Sequence, residues 1–98
     1  MPLVFSNATF THGTYIIFLN KGIIPGGKTN VYEVWSKGAE DELGDLLGEI
    51  RWFGRWRKYS FFPKGDTIYE EVCLQEITDF LKAANIAHRE AKKHAANV

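Results

Sequence analysis

The sequence predicts an α+β domain in which an antiparallel β-sheet is covered on one face by a C-terminal amphipathic helix. Three observations carry that prediction. Between Val31 and Phe62, apolar and polar residues alternate at period two in runs broken by Gly-containing or charged turns. From Val72 to Ala84, apolar residues instead recur at three- and four-residue spacing, the signature of one buried helix stripe. Strands come first and the helix last, which suits one helix laid on one sheet rather than alternating βαβ units.

Each element can be justified in order. Residues 1–30 form an N-terminal strand region that carries two lysines and no other Lys, Arg, Asp or Glu. Within it Tyr15-Ile16-Ile17-Phe18-Leu19 is β-branched and aromatic, hence a strand, with Asn20-Lys21-Gly22 as its turn. Phe5 and Phe10 belong to an earlier, shorter strand. Residues 31–66 read as a three-stranded meander: Val31 to Ser36, the polar loop "KGAEDELGD", Leu47 to Trp52, a tight turn at Phe53-Gly54-Arg55, then Trp56 to Phe62. Pro63-Lys64-Gly65-Asp66 ends the sheet, because proline cannot donate to a ladder.

Residues 67–96 read as the helix. Its stripe is Val72, Ile77, Phe80, Leu81 and Ala84, widened by Cys73 and Leu74. Glu70, Glu71, Glu76 and Asp79 fall in its first half and Lys82, Arg89, Lys92 and Lys93 in its second, as the helix macrodipole favours. The tail "IAHREAKKHAANV" either extends this helix into solvent or frays. Alternation assigns Tyr32, Val34, Ile50, Trp52, Tyr59 and Phe61 to the core face beneath it. Glu33, Trp35, Glu49, Arg51, Trp56, Lys58 and Ser60 fall on the opposite, polar face.

Composition sets the outer bounds. A chain of 98 residues makes one domain, with no room for a second core. Its 45% hydrophobic content excludes the disordered class. Twelve Lys and Arg cancel twelve Asp and Glu, which removes the simplest argument for a nucleic-acid partner. A single cysteine, Cys73, leaves no intrachain disulfide and favours a reducing, cytoplasmic setting. The opening "MPLVFSNATF" lacks the basic and apolar regions of a signal peptide, and no stretch approaches the roughly 18 apolar residues of a membrane span.

Two motifs compete for attention. "GIIPGGKT", Gly22 to Thr29, satisfies the letters of a phosphate-binding loop, G-x-x-x-x-G-K-[ST]. Such a loop must open a helix whose N-terminus holds the phosphates, yet the strand-like "NVYEVWS" follows. The segment is therefore expected to connect two strands. "GEIRWFGRWRKYSFFP", Gly48 to Pro63, interleaves Arg51, Arg55, Arg57 and Lys58 with Trp52, Phe53, Trp56 and Tyr59. Cations beside aromatic rings anchor protein interfaces, and they also grip single-stranded nucleic acid. The plainer alternative is a hairpin whose rings fill the core while its cations pair with Glu33 and Glu49. Trp35, Arg51, Arg55, Trp56 and Lys58 are the candidate binding residues.

The remaining features point away from catalysis. Glu40, Asp41, Glu42 and Asp45 cluster in a loop without the ligand spacing of an EF-hand, so a solvated loop or a contact for a basic partner is expected. His88 and His94 lie six apart and so on different faces of a helix, which argues against a metal pair. Nothing in the sequence places a base beside Cys73 or assembles a Ser-His-Asp set. No cofactor, metal or enzymatic activity is expected.

"LGEIRWFGRWRKYSFFP" followed by "CLQEITDFL" resembles a pattern in a family of small proteins encoded by bacteriophages and prophages. The pattern runs Leu-Gly-x-Ile-x-Trp, then Trp-Arg-x-Tyr-x-Phe-x-Pro, then Cys-Leu-x-x-Ile-x-x-Phe, here from Leu47 to Phe80 with "VYEVWSK" as the lead-in strand. The resemblance implies a setting, not an activity. The function expected is that of a non-enzymatic accessory factor binding a host or viral macromolecule through the sheet face and the Trp/Arg hairpin. A protein partner comes first. Single-stranded nucleic acid, inhibition of a host defence nuclease through the acidic loop, and a homodimer through the same face are the alternatives.

Overall fold

The computed structural model describes residues 10–23 and 26–96, with side chains as far as residue 93. Five strands, β1 (Phe10–His12), β2 (Ile16–Ile23), β3 (Asn30–Lys37), β4 (Leu43–Phe53) and β5 (Lys58–Pro63), precede one helix, α1 (Glu71–Ala96). The sheet is a continuous antiparallel meander in the order β1-β2-β3-β4-β5. Helix α1 packs on one face, so the α+β architecture expected from the sequence is the one observed. The expected strand at Phe10 is β1; Phe5 lies outside the described residues.

Aromatic stacking joins helix to sheet. The rings of Phe18 on β2 and Phe80 on α1 lie 4.1 Å apart and 12° from parallel, and both side chains are fully buried. Tyr32, Val34, Leu47, Ile50 and Tyr59 surround them from the sheet, and Ile77 and Ala84 from the helix. The alternation predicted for this face holds at every position: Trp52 and Phe61 pack against the same core at its margin. On α1 the buried stripe is narrower than the sequence reading gave it. Val72 and Leu74 are exposed, because each sits about 100° around the helix from Cys73, which packs against the core.

Polar contacts fix where the helix lies. Asn85 binds both main-chain groups of Tyr59, accepting its N–H at 2.7 Å and donating to its carbonyl at 3.3 Å. β5 is an edge strand, and Asn85 thus occupies ladder positions that would otherwise stand open. At the other end of the sheet, the Glu76 carboxylate accepts the N–H groups of Thr14 and Tyr15 in the β1–β2 turn. Tyr69 donates to the Leu47 carbonyl at 2.9 Å, tying residues 67–70, which form no regular structure, to β4. The helix therefore starts at Glu71 rather than at residue 67. Glu70 caps it by accepting the Cys73 N–H at 2.6 Å.

Two local departures from the sequence reading have plain causes. The turn expected at Asn20-Lys21-Gly22 is a β-bulge inside β2: Asn20 Oδ1 accepts the Gly22 N–H at 2.7 Å, and Gly22 adopts φ 84°. The strand runs on to Ile23, so "GIIPGGKT" spans the β2–β3 connection and is followed by strand β3; its Ile24 and Pro25 lie outside the described residues. The β4–β5 turn also lies further along than expected. It comprises Gly54 to Arg57, closed by Phe53 O to Trp56 N (3.2 Å) and Gly54 O to Arg57 N (3.3 Å), with Arg57 at φ 53°. Trp56 and Arg57 thus belong to the turn, not to β5.

Gly48 sits where β3 and β4 slip register, beside the carbonyl oxygen of Phe62, and a Cβ there would also lie 3.0 Å from the Cα of Pro63. Backbone on the neighbouring strand cannot swing aside as a side chain can. Gly48→Ala is expected to cost about 2 kcal/mol or more, read as a lower urea midpoint. Phe80→Ala is expected to cost about 3–5 kcal/mol by the same measurement. The Tyr32 phenol is pushed up from 10.0 to about 12 by burial and by the neighbouring Tyr59. Its raised folded-state value means stability is intact below pH 10 and declines as pH rises toward 12. Urea titrations across that window are expected to show a shallower decline for Tyr32→Phe.

Candidate interaction surface

The sheet face away from α1 begins from the same alternation that builds the core. With Phe18, Val34 and Ile50 turned to the helix, Leu19, Glu33, Glu49 and Phe62 form a cross-strand row on the other side. Above this row stand Ile17, Trp35 and Leu46; below it stand Arg51 and Ser60, then Phe53 and Lys58. The face holds more apolar surface than its polar sequence pattern announced. Ile17 is completely buried there, flanked by His12 on β1 and Trp35 on β3.

The five candidate residues fall into two groups. Trp35 is half-buried, and its Nε1–H donates to Glu33 Oε1 at 3.2 Å. Glu33 lies directly across from Glu49, so that bond also eases a like-charge pairing. Arg51 places its guanidinium 3.8 Å from the centre of the Phe62 ring and its Nε 3.6 Å from Glu49. Both residues thus serve the sheet itself. Trp35 is also remote from the turn residues: Leu46, its partner, is separated from Phe53 by seven positions of β4, roughly 20 Å.

The hairpin tip is different. Trp56 is 65% exposed, and its ring meets Phe53 edge-on at 4.8 Å. Phe53 in turn meets Phe62 edge-on at 6.0 Å, which holds the tip ring at a fixed angle above the sheet. Arg55, Arg57 and Lys58 are exposed and form no ion pair among the described residues. Pairing with Glu33 and Glu49, the plain structural reading of these cations, applies to Arg51 alone. Arg57 joins the candidate cations because the turn extends to it; the four-residue loop "GRWR" between Phe53 and Lys58 is the signal that identifies it.

Among the described residues, charge is unevenly distributed between the two ends of the sheet. The Lys28 turn, the Arg55–Lys58 tip and the second half of α1 share one end of the sheet, as the packing of Asn85 and His88 against Tyr59 and Trp52 requires. The acidic loop around a short 3₁₀ turn (Ala39–Asp41), the start of β4 and the first half of α1 share the other. An open cleft of about 680 Å³ at that acidic end is lined by His12, Lys37, Asp41, Glu76 and Asp79. Its charges are largely engaged: Lys37 pairs with Asp41 at 3.0 Å and donates to the Gly13 carbonyl, and Gln75 donates to Asp79.

The thiol of Cys73 and the ring of His88 are placed for packing. Burial, then hydrogen bonding to Glu70, pushes the Cys73 thiol up, opposite to the shift a thiolate nucleophile needs. His88 packs against Trp52 with the ring centres 4.4 Å apart and the planes tilted by 39°; the side chain of His94 lies outside the described residues. Among the described residues, no three His, Cys, Asp or Glu side chains converge as metal ligands, and no helix is long and apolar enough to cross a membrane. No protein-family model, curated protein or solved structure matches this chain.

The two groups should separate in stability measurements. Arg51→Ala, which strips the cover from Phe62 and leaves Glu49 unpaired, is expected to cost about 1 kcal/mol. Arg55→Ala and Lys58→Ala are each expected to change stability by less than about 0.5 kcal/mol, as surface substitutions do. Paired urea denaturation curves at one pH and salt concentration check both.

Proposed function

We propose that this chain is a small non-enzymatic interaction protein, a cytoplasmic accessory factor of phage or mobile-element origin, that binds a protein partner through its hairpin tip. One observation carries this reading. An exposed tryptophan, braced by Phe53, stands among three cations with no intramolecular ion-pair partner among the described residues. Trp and Arg are the side chains that most often dominate binding energy, and a braced ring loses little conformational freedom on binding. The partner surface that complements this tip is acidic. The resemblance of Leu47–Phe80 to phage-encoded proteins supplies the setting.

A second reading, single-stranded nucleic acid, draws on the clustering of cations at the same end of the molecule. The acidic row of Glu33 and Glu49 on the adjoining face opposes it, since a phosphate backbone tracking across the sheet would meet them. The readings separate by salt. Trp56→Ala and Arg55→Ala are expected to abolish retention of a protein partner by the immobilised chain while thermal unfolding stays cooperative. Retention that survives both substitutions rejects the proposal. A single-stranded oligonucleotide bound at low salt, with log affinity falling by about 0.7 per phosphate contact for each tenfold rise in salt, selects nucleic acid instead.

A further inference from the structure

A second concave site lies between the β2–β3 end of the sheet and the second half of α1. Its volume is about 280 Å³, and its lining includes Asn20, Lys28, Asn30, Tyr32, Tyr59 and His88. Besides His88, the helix contributes only small side chains here, Ala84, Ala87 and Ala91, on the same face of α1, which leaves the gap between helix and strands open. It is distinct from the hairpin tip and shares no residue with it.

The chemistry of the lining is one-sided. Tyr32 is 6% exposed, with its ring held edge-on to Phe80 at 4.9 Å and to Tyr59 at 6.0 Å. Its hydroxyl hydrogen-bonds to none of the described residues, yet it is not sealed away as an unsatisfied buried atom, because it opens on this cavity. A nearly buried phenol with no partner is a donor awaiting an acceptor. Tyr59 uses its oxygen to accept the Asn30 N–H at 3.1 Å, which leaves its own hydroxyl proton to donate. Lys28 adds a cation without an ion-pair partner among the described residues, and His88 and the amide of Asn30 add further N–H groups. No carboxylate is part of the described lining.

We propose that this cavity binds a small oxyanion of the phosphate or phosphomonoester type. The anion's oxygens accept from Tyr32, Tyr59 and Lys28, and the basic end of the molecule supplies a favourable field. The size suits a small anion, since the cavity lies just below the roughly 300–1,000 Å³ typical of sites for larger ligands. The contact of His88 with Trp52, 4.4 Å between ring centres, provides a spectroscopic reporter at the wall of the site.

The test is titration of the intact protein with inorganic phosphate and, separately, phenyl phosphate, followed by Trp52 fluorescence and amide chemical shifts, with sodium chloride matched for ionic strength. Saturable shifts confined to Lys28, Tyr32, Tyr59 and His88 are expected. Tighter binding of phenyl phosphate identifies an esterified ligand, and equal or tighter binding of inorganic phosphate identifies the free anion. Tyr32→Phe, which keeps the ring and removes the hydroxyl, is expected to weaken binding about tenfold. Lys28→Gln, at an exposed position that leaves the fold intact, is expected to weaken it by a similar factor, while Lys64→Gln at the far end of the sheet has no effect. No shift beyond the chloride control, or equal affinity in wild type and Lys28→Gln, overturns the proposal without touching the hairpin reading.

Discussion

The contact between Phe18 and Phe80 is the constraint on which the rest of the structure depends. A five-stranded meander has two faces, and only one can be covered by a single helix. Stacking those two rings at the centre of the sheet commits Tyr32, Val34 and Ile50 to the inside and so commits Glu33, Glu49, Arg51 and Phe62 to the outside. A slip of one residue in either strand would exchange the two sets. Bulges at Lys21 and Leu47 each set one extra residue against β3. Asn85 and Glu76 then hold the helix at both ends of the sheet, each through main-chain groups that vary little with sequence.

Helix direction has a consequence for electrostatics. Because α1 runs back along β5, its acidic first half lies beside the acidic β3–β4 loop and its basic second half beside the basic turns. The macrodipole accounts for the charge order within the helix. It does not account for the loop and the hairpin, whose charges lie on the sheet and add to the same polarity. A chain with no net charge thereby presents two oppositely charged ends. Long-range fields of this kind orient a protein as it approaches a charged partner and raise the association rate. The proposed hairpin contact and the anion cavity both sit at the basic end.

The fold was largely legible in the sequence because it rests on two periodicities that survive without knowledge of tertiary contacts. Period two across residues 31–62 named the core face correctly, down to Trp52 and Phe61 at its margin. What the sequence hid were features set by main-chain hydrogen bonds. Asn20 bonding back to Gly22 turns an apparent chain reversal into a bulge, and the i→i+3 bonds of the β4–β5 turn move Trp56 out of the strand. The site was legible only in part for the same reason. "RWFGRWRK" announces cations and rings, but only geometry shows that Arg51 stacks on Phe62 while Arg55, Arg57 and Lys58 form no ion pair among the described residues. The anion cavity left no linear signal, since Lys28, Tyr32, Tyr59 and His88 come from four separate elements.

The central claim is that the hairpin tip is surface, free of any duty in holding the fold. The most direct measurement is urea unfolding of the chain with Arg55, Trp56 and Arg57 all replaced by alanine. The account predicts a cooperative transition whose stability differs from that of the wild type by less than about 1 kcal/mol, because Trp56 is mostly exposed, with its ring against Phe53, and neither arginine makes an ion pair among the described residues. A loss of about 3 kcal/mol or more, or a transition without cooperativity, would contradict it.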